Sequence, residues 1–185
     1  MQNYTKKQFT EFSCGAAGLL VAAKELGVTA IPNDMPSMPS TPLDLSNGCE
    51  QAIYRKTAGG SAGYSMPDGI ARAASSLGLD VDVHMSGFMV PRLLEWKYPA
   101  VRTSLEEQNV NIQSGSPTLE DNQRMLVAVA IGPIGLHWVL YRPDATYMDP
   151  AYGQNYSGSL WGMGQLGVLR YVDTGVYVVV GRASA

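Results

Sequence analysis

The chain has 185 residues, 45% hydrophobic and 16% charged, which is enough apolar mass for a real core and excludes a compositionally disordered segment. A formal charge of -3, with Lys6-Lys7 as the longest basic run, excludes a nucleic-acid footprint, and no apolar run approaches the ~18 residues of a membrane span. One domain over residues 1–185 is the expectation, with 20 glycines and 11 prolines marking many turns.

The N-terminal stretch Met1 to Lys7 has no apolar core after its charges, so no Sec-type signal is expected. The protein is then cytoplasmic in the producing cell or exported by another route. From Cys14 to Leu26, small and apolar residues recur at helical spacing, with Ser13 as the N-cap candidate and Gly27 as the stop. Prolines at 32, 36, 39 and 42 predict an irregular surface loop. Helices are expected around Cys49 to Lys56 and from Pro67 to Leu77, followed by an alternating strand over Leu79 to Met85 and a further helix over Val90 to Trp96.

Residues 104–122 are polar without periodicity and read as a loop or insertion. Five β-type runs then follow: Met125 to Ile131, Leu136 to Tyr141, Ala145 to Met148, Val168 to Val172 and Val176 to Val180. Helices first and an antiparallel sheet afterwards make an α+β fold.

Chemistry concentrates in few residues. Cys14 opens a helix, where unpaired N–H groups and the positive end of the macrodipole favour a thiolate, so a free, low-pKa thiol is expected there. The following Gly15-Ala16-Ala17 would let a substrate approach closely. Cys14 and Cys49 could form one disulfide, yet a nucleophile must stay free. His137 is one of two histidines, and its rival His84 lies on the alternating strand among aspartates. Taken alone, His137 reads equally as a satisfied core histidine.

Asp149 comes twelve positions after His137. If the two flanking strands form a hairpin through Pro143-Asp144, its far ends meet, and Asp149 can accept the imidazole N–H. Asp144 would then be a turn residue. Gln8, six residues before Cys14, could pair its amide with the Cys14 N–H as an oxyanion hole. Trp138, the 28–47 loop and Trp161 to Gly164 are candidate pocket walls, with Trp138 taken as substrate-binding. The spacing of Cys14, Cys49, His84 and His137 contains no short ligand pair, so no metal and no cofactor are expected.

Gln8, Cys14, His137 and Asp149, in this order, resemble the papain-like cysteine peptidase superfamily. Within it, the Cys14-Gly15-Ala16-Ala17 start, the piece from Pro67 to Val83, Gly135 to Tyr141, and Asp149-Pro150-Ala151-Tyr152-Gly153 look like the double-glycine leader peptidases in free-standing form. The resemblance implies a papain-like fold, with the nucleophile's helix packed on a C-terminal antiparallel sheet. It also implies a Cys14-His137-Asp149 triad with Gln8 as oxyanion donor. The family usually has an acidic residue where Ser13 stands here, and no transporter segment follows the peptidase-like part. A stand-alone thiol hydrolase acting on a protein or peptide, such as a bacterial effector or toxin with a chaperone or immunity protein as partner, fits this layout. A deamidase or acyltransferase would use the same acyl-enzyme, and an idle binding module is the reading from another class.

Overall fold

The computed structural model describes residues 2–33, 37–58, 63–86, 98–132, 135–163 and 171–182, without the Trp161 side chain. Helix α1 spans Cys14–Glu25, α2 Asn47–Thr57, α3 Pro67–Ser76 and α4 Ala100–Glu107. The strands are β1 Ala30–Ile31, β2 Thr41–Pro42, β3 Asp80–Met85, β4 Asn111–Gln113, β5 Gln123–Ile131, β6 Gly135–Tyr141, β7 Thr146–Asp149, β8 Gln154–Ser157 and β9 Tyr171–Gly181. The fold is α+β, as the order of periodicities predicts.

Seven strands form one sheet in the order β4-β3-β9-β5-β6-β7-β8, and α1 packs on β5 and β6 with α2 and α3 beside it. Every residue from Ser13 to Ala23 is buried. A helix that is apolar or small all round belongs in the middle of a protein, and the alanines and glycines let α1 lie close to its neighbours. Fully buried Leu19 and Leu20 stabilise that position by roughly 2 kcal/mol each. Strand β5 reads as a near-continuous apolar run because both its faces are covered. Leu126 and Ala128 join the core under the helices, while Met125, Val127 and Val129 join a second cluster with Val139, Tyr171 and Tyr177.

Several expectations need correction. Residues 104–122 are not an unstructured insertion: α4 begins at Ala100, buries Val101 and Leu105 one turn apart, and leads to β4. A window opened at Ser104 cuts off the first of these two apolar positions, which is why no period shows. Because β4 pairs parallel with β3, the sheet is mixed rather than antiparallel. The proline loop is closed by a short regular pairing, Ala30 opposite Pro42 and Ile31 opposite Thr41, at an edge where proline removes no needed donor. The last strand is continuous from Tyr171 to Gly181, with a bulge opposite Ala128 and Val129 where Thr174 donates its hydroxyl to the Ala128 carbonyl (2.7 Å). Strand β8 carries too few apolar residues to be seen in advance. The helix expected over Val90 to Trp96, residues 168–170 of the fourth β-type run, Gly164 and the Trp161 side chain lie outside the described residues.

Ser13 occupies the N-cap position of α1 without capping it. Its hydroxyl accepts from the Thr10 N–H (2.9 Å) and donates to the Thr10 carbonyl (3.1 Å), closing the turn that delivers the chain to Cys14. By contrast, Ser46 caps α2 through the Cys49 N–H (3.3 Å). At the other end of α1, Gly27 takes φ of +75° past the last turn, as a helix stop requires.

Candidate active site

Cys14 is the first residue of α1, buried and free, and Cys49 is likewise a free thiol. Strand β6 presents His137, and the β6–β7 hairpin turns through Pro143 and Asp144. Arg142 N–H donates to the Thr146 carbonyl (3.0 Å), and Leu140 stands opposite Met148. With side chains repeating every second residue, Tyr147 and Asp149 share the face of Tyr141, Val139 and His137. His137 Nε2 lies 2.8 Å from Asp149 Oδ1, both groups buried. The sequence argument for the returning hairpin therefore places this contact correctly.

The Cys14 side chain lies close enough to the imidazole to raise its pKa. Since Nε2 faces Asp149, Nδ1 is the nitrogen left for the sulfur. Burial pushes the His137 pKa down, but the bond to Asp149, the nearby Cys14 side chain and the negative charge of both outweigh it, and the group is pushed up to about 9. A protonated imidazole between a carboxylate and a sulfur is the resting arrangement this geometry favours.

The Asp149-Pro-Ala-Tyr-Gly153 segment is a turn closed by its own hydrogen bonds and tied to the N-terminal strap. Asp149 Oδ1 also accepts the Ala151 N–H (2.9 Å), and the Gly153 N–H returns to the Asp149 carbonyl (2.8 Å). Pro150 offers its carbonyl to the Gln8 N–H (2.8 Å). Gly153 has φ of +66°, and a Cβ there would stand 2.7 Å from the Lys7 nitrogen, so only glycine lets the N-terminal strap pass. The turn that carries the acid thus also holds the segment that carries Gln8.

Gln8 Nε2 donates to the Thr10 carbonyl (2.7 Å), which uses one of its two amide protons, while its Oε1 is buried and has no partner among the described residues. Buried Glu50 on α2 fixes the same strap. It accepts the Phe9 N–H (2.7 Å) and pairs with Lys6 Nζ at 2.9 Å. An open cavity beside the strap is lined by Gln8, Phe9, Phe12 and Ala151, with Phe9 and Phe12 exposed.

Trp138 points away from His137, as alternation demands. It is buried, donates its indole N–H to the Ser65 carbonyl (2.8 Å), and lines an apolar cleft with Tyr64, Met66, Leu136 and Val176. Gly15 is explained by the same segment: a Cβ would stand 2.6 Å from Ser65 Cβ. Gly15 therefore serves close packing against Ser65, and Ala16 and Ala17 are fully buried. Asp144 sits in the hairpin turn and accepts from Thr146 and Asn3. His84 is on β3, separated from β6 by β9 and β5.

Two residues near the site carry no sequence signal. Tyr171 donates its hydroxyl to Asp149 Oδ2 (2.8 Å), and its ring lies 5.5 Å from that of His137. Tyr54 on α2 donates to the Gly63 carbonyl and lies close enough to Cys14 for burial first, and then that sulfur's charge, to raise its pKa. A strand tyrosine and a helix tyrosine look ordinary until the fold brings them together. Among the described residues, no cluster of side chains is arranged to hold a metal ion.

Comparison with known proteins follows the same residues. The profile of the family described as "Invasion plasmid antigen J, cysteine protease" matches residues 6–183, which include Gln8, Cys14, His137 and Asp149. The cysteine protease IpaJ of Shigella flexneri is 44% identical over 171 residues, a match covering 82% of this chain and 66% of that protein. The chain thus spans just under two thirds of the length of the curated relative it matches.

Proposed function

The chain belongs to the invasion plasmid antigen J family of cysteine proteases, and from that premise we propose that it cleaves an amide bond in a protein or peptide through a thioester on Cys14. The observation that carries the reading is His137 held by Asp149 at 2.8 Å and close enough to Cys14 for that side chain to help push its pKa up to about 9. The Cys14 thiolate attacks the scissile carbonyl, and the carbonyl oxygen becomes an oxyanion. The Cys14 N–H and the other amide proton of Gln8 receive it. His137 Nδ1–H gives its proton to the leaving amine as the C–N bond breaks. The neutral imidazole then takes a proton from water, the resulting hydroxide opens the thioester, and carboxylate and thiolate are released. Asp149 holds the imidazole in the orientation that points Nδ1 at the sulfur.

Trp138 shapes this site from behind by fixing the Ser65 segment against Gly15, and contributes a wall of the apolar cleft. The finer likeness to double-glycine leader peptidases is supported by the Cys-Gly helix start and the Asp-Pro-Ala-x-Gly turn. The family's name supports reading the protease as a bacterial effector that leaves the producing cell, and a chaperone or an immunity protein is the partner we propose for such an effector. Among the described residues no helix is long and apolar enough to cross a membrane.

The test is mapping of new protein N-termini after incubating a cell lysate with the wild type, Cys14→Ala or His137→Ala. Wild type alone should create a consistent set, and both variants should lose it while keeping the native near-UV circular dichroism. The same termini appearing with folded Cys14→Ala would sink the proposal.

A further inference from the structure

Asp149 is fully buried, and its two carboxylate oxygens are treated differently. Oδ1 takes His137 Nε2 (2.8 Å) and the Ala151 N–H (2.9 Å). Among the described residues, the hydrogen-bond partner of Oδ2 is the hydroxyl of Tyr171, at 2.8 Å. A carboxylate held only through Oδ1 could pivot about its Cβ–Cγ bond, and a buried oxygen without a donor would carry its charge uncompensated.

We propose that Tyr171 is a positioning residue of the triad, which locks the Asp149 carboxylate plane toward His137 and draws off part of its charge. This rests on reading Cys14, His137 and Asp149 as the catalytic groups. Tyr171 reaches the site from β9, two strands away from β6, and stands opposite Ile131 of β5. Its ring packs at 47° to the imidazole, so it also limits rotation of His137. The ring sits with Met125, Val127, Val129, Val139 and Met163, an apolar setting in which a phenol needs one strong acceptor. Burial and the adjacent carboxylate both push the Tyr171 pKa far up, so the hydroxyl remains a donor across the working range. The titratable groups facing this pair are His137 from β6, which Cys14 of α1 adjoins in turn, Tyr152 from the turn after β7 and Tyr156 from β8.

A merely structural tyrosine would satisfy its own hydroxyl on Asp149 and leave His137 indifferent to its loss. Tyr171→Phe separates these cases because it keeps the ring and deletes the donor. Two readouts need no known substrate. The first is the NMR titration of the His137 imidazole, resolved from His84 as the other of two histidines. The second is the rate of Cys14 alkylation by iodoacetamide, with Cys49 alkylation counted separately by mass spectrometry.

The expected result is a displaced His137 midpoint and Cys14 alkylation altered by roughly 10-fold to 100-fold, the worth of one hydrogen bond to a charged group. The midpoint moves up where the carboxylate stays in place with its full charge, and down where it swings away. A midpoint and an alkylation rate that both match wild type, in a variant folded by near-UV circular dichroism, overturn the assignment. If Tyr171→Phe does not fold, Tyr171→Met, which keeps a buried apolar side chain and carries no donor, is measured in its place. Cys14→Ala retaining proteolysis would instead defeat the triad reading itself, so the two failures are told apart.

Discussion

The two ends of α1 each hold a buried carboxylate-centred cluster, and they are built on opposite electrical principles. At the C-terminal end, Glu25 is held by Arg124 (2.7 Å) and Arg142 (2.8 Å) and accepts the Tyr4 N–H (3.0 Å). An acidic side chain on the negative pole of a helix is unfavourable, so that end requires permanent positive charge, and two guanidiniums supply it. At the N-terminal end, where the pole is positive, Asp149 is partnered by the His137 imidazole and the Tyr171 phenol with the Cys14 thiol nearby, and the imidazole and the thiol are groups that gain or lose a proton. One cluster cannot change state; the other is built from groups that can. The helix between them is a spacer, anchored by arginines at one end and carrying the proposed nucleophile at the other.

Charge-removing isosteres at the two ends should break differently. Glu25→Gln leaves two buried guanidiniums facing a neutral amide, and should lower the unfolding free energy by about 3 to 5 kcal/mol in urea titrations. Activity per folded molecule should stay near wild type. A Glu25→Gln protein as stable as wild type would remove the anchor from the comparison.

Asp149→Asn should do the reverse. It keeps volume and a hydrogen-bond acceptor but removes the charge that supports the imidazolium, so proteolysis should fall roughly 10-fold to 100-fold, with a much smaller change in stability than Glu25→Gln. Rates measured on one mapped cleavage site, alongside urea titration, check both halves. Loss of stability at both ends with no separation in rate would show that Asp149, like Glu25, is only an anchor.

The contrast also explains what could be read from the chain. The Cys14 end was legible because its parts obey local rules: a helix start, a strand period of two and a hairpin with a Pro-Asp turn put Asp149 beside His137 by arithmetic. The Glu25 cluster was not, because it joins residues 25, 124 and 142 through tertiary contacts that leave no spacing in the sequence. Tyr171 escaped for the same reason, arriving from a strand whose neighbour in the sheet is β5 rather than β6. Ser13 shows the opposite error. A residue with the right local chemistry for a cap was used for another turn, because the approach to Cys14 bends at Thr10. Helix α4 and strand β4 were lost among polar residues, since a helix that buries only Val101 and Leu105 shows almost no period.

Only the reactive end should make stability depend on pH between neutral and alkaline conditions. The His137 pKa is raised in the folded state to about 9 from 6.5, so the folded protein binds more protons than the unfolded chain in that interval. Its contribution is therefore fully present below about pH 6.5 and is lost as pH rises through about 9. Unfolding free energy measured at intervals from pH 6 to 10 should fall over this window in wild type, and the fall should be shallower in His137→Gln. The Glu25→Gln difference should stay flat over the same window, because its arginines keep their charge. A wild-type slope that persists unchanged in His137→Gln would place the proton elsewhere.

The smallest effect sharpens how the N-terminal end is set. Ser13→Ala removes no helix cap, since Ser13 makes none, but it deletes the two hydroxyl hydrogen bonds to Thr10 and leaves only the backbone one to hold the turn before Cys14. The cost in stability should be about 1 kcal/mol, near that of Ser46→Ala, where a true cap on α2 is lost. The two should differ in chemistry. Ser46 bonds Asp44 and the first turn of α2, whereas Ser13 directly precedes Cys14. Ser13→Ala should therefore slow Cys14 alkylation and Ser46→Ala should leave it unchanged. Equal alkylation rates in both variants would mean that α1 alone, packed on the sheet and held by Glu25 at its far end, fixes the position of the sulfur.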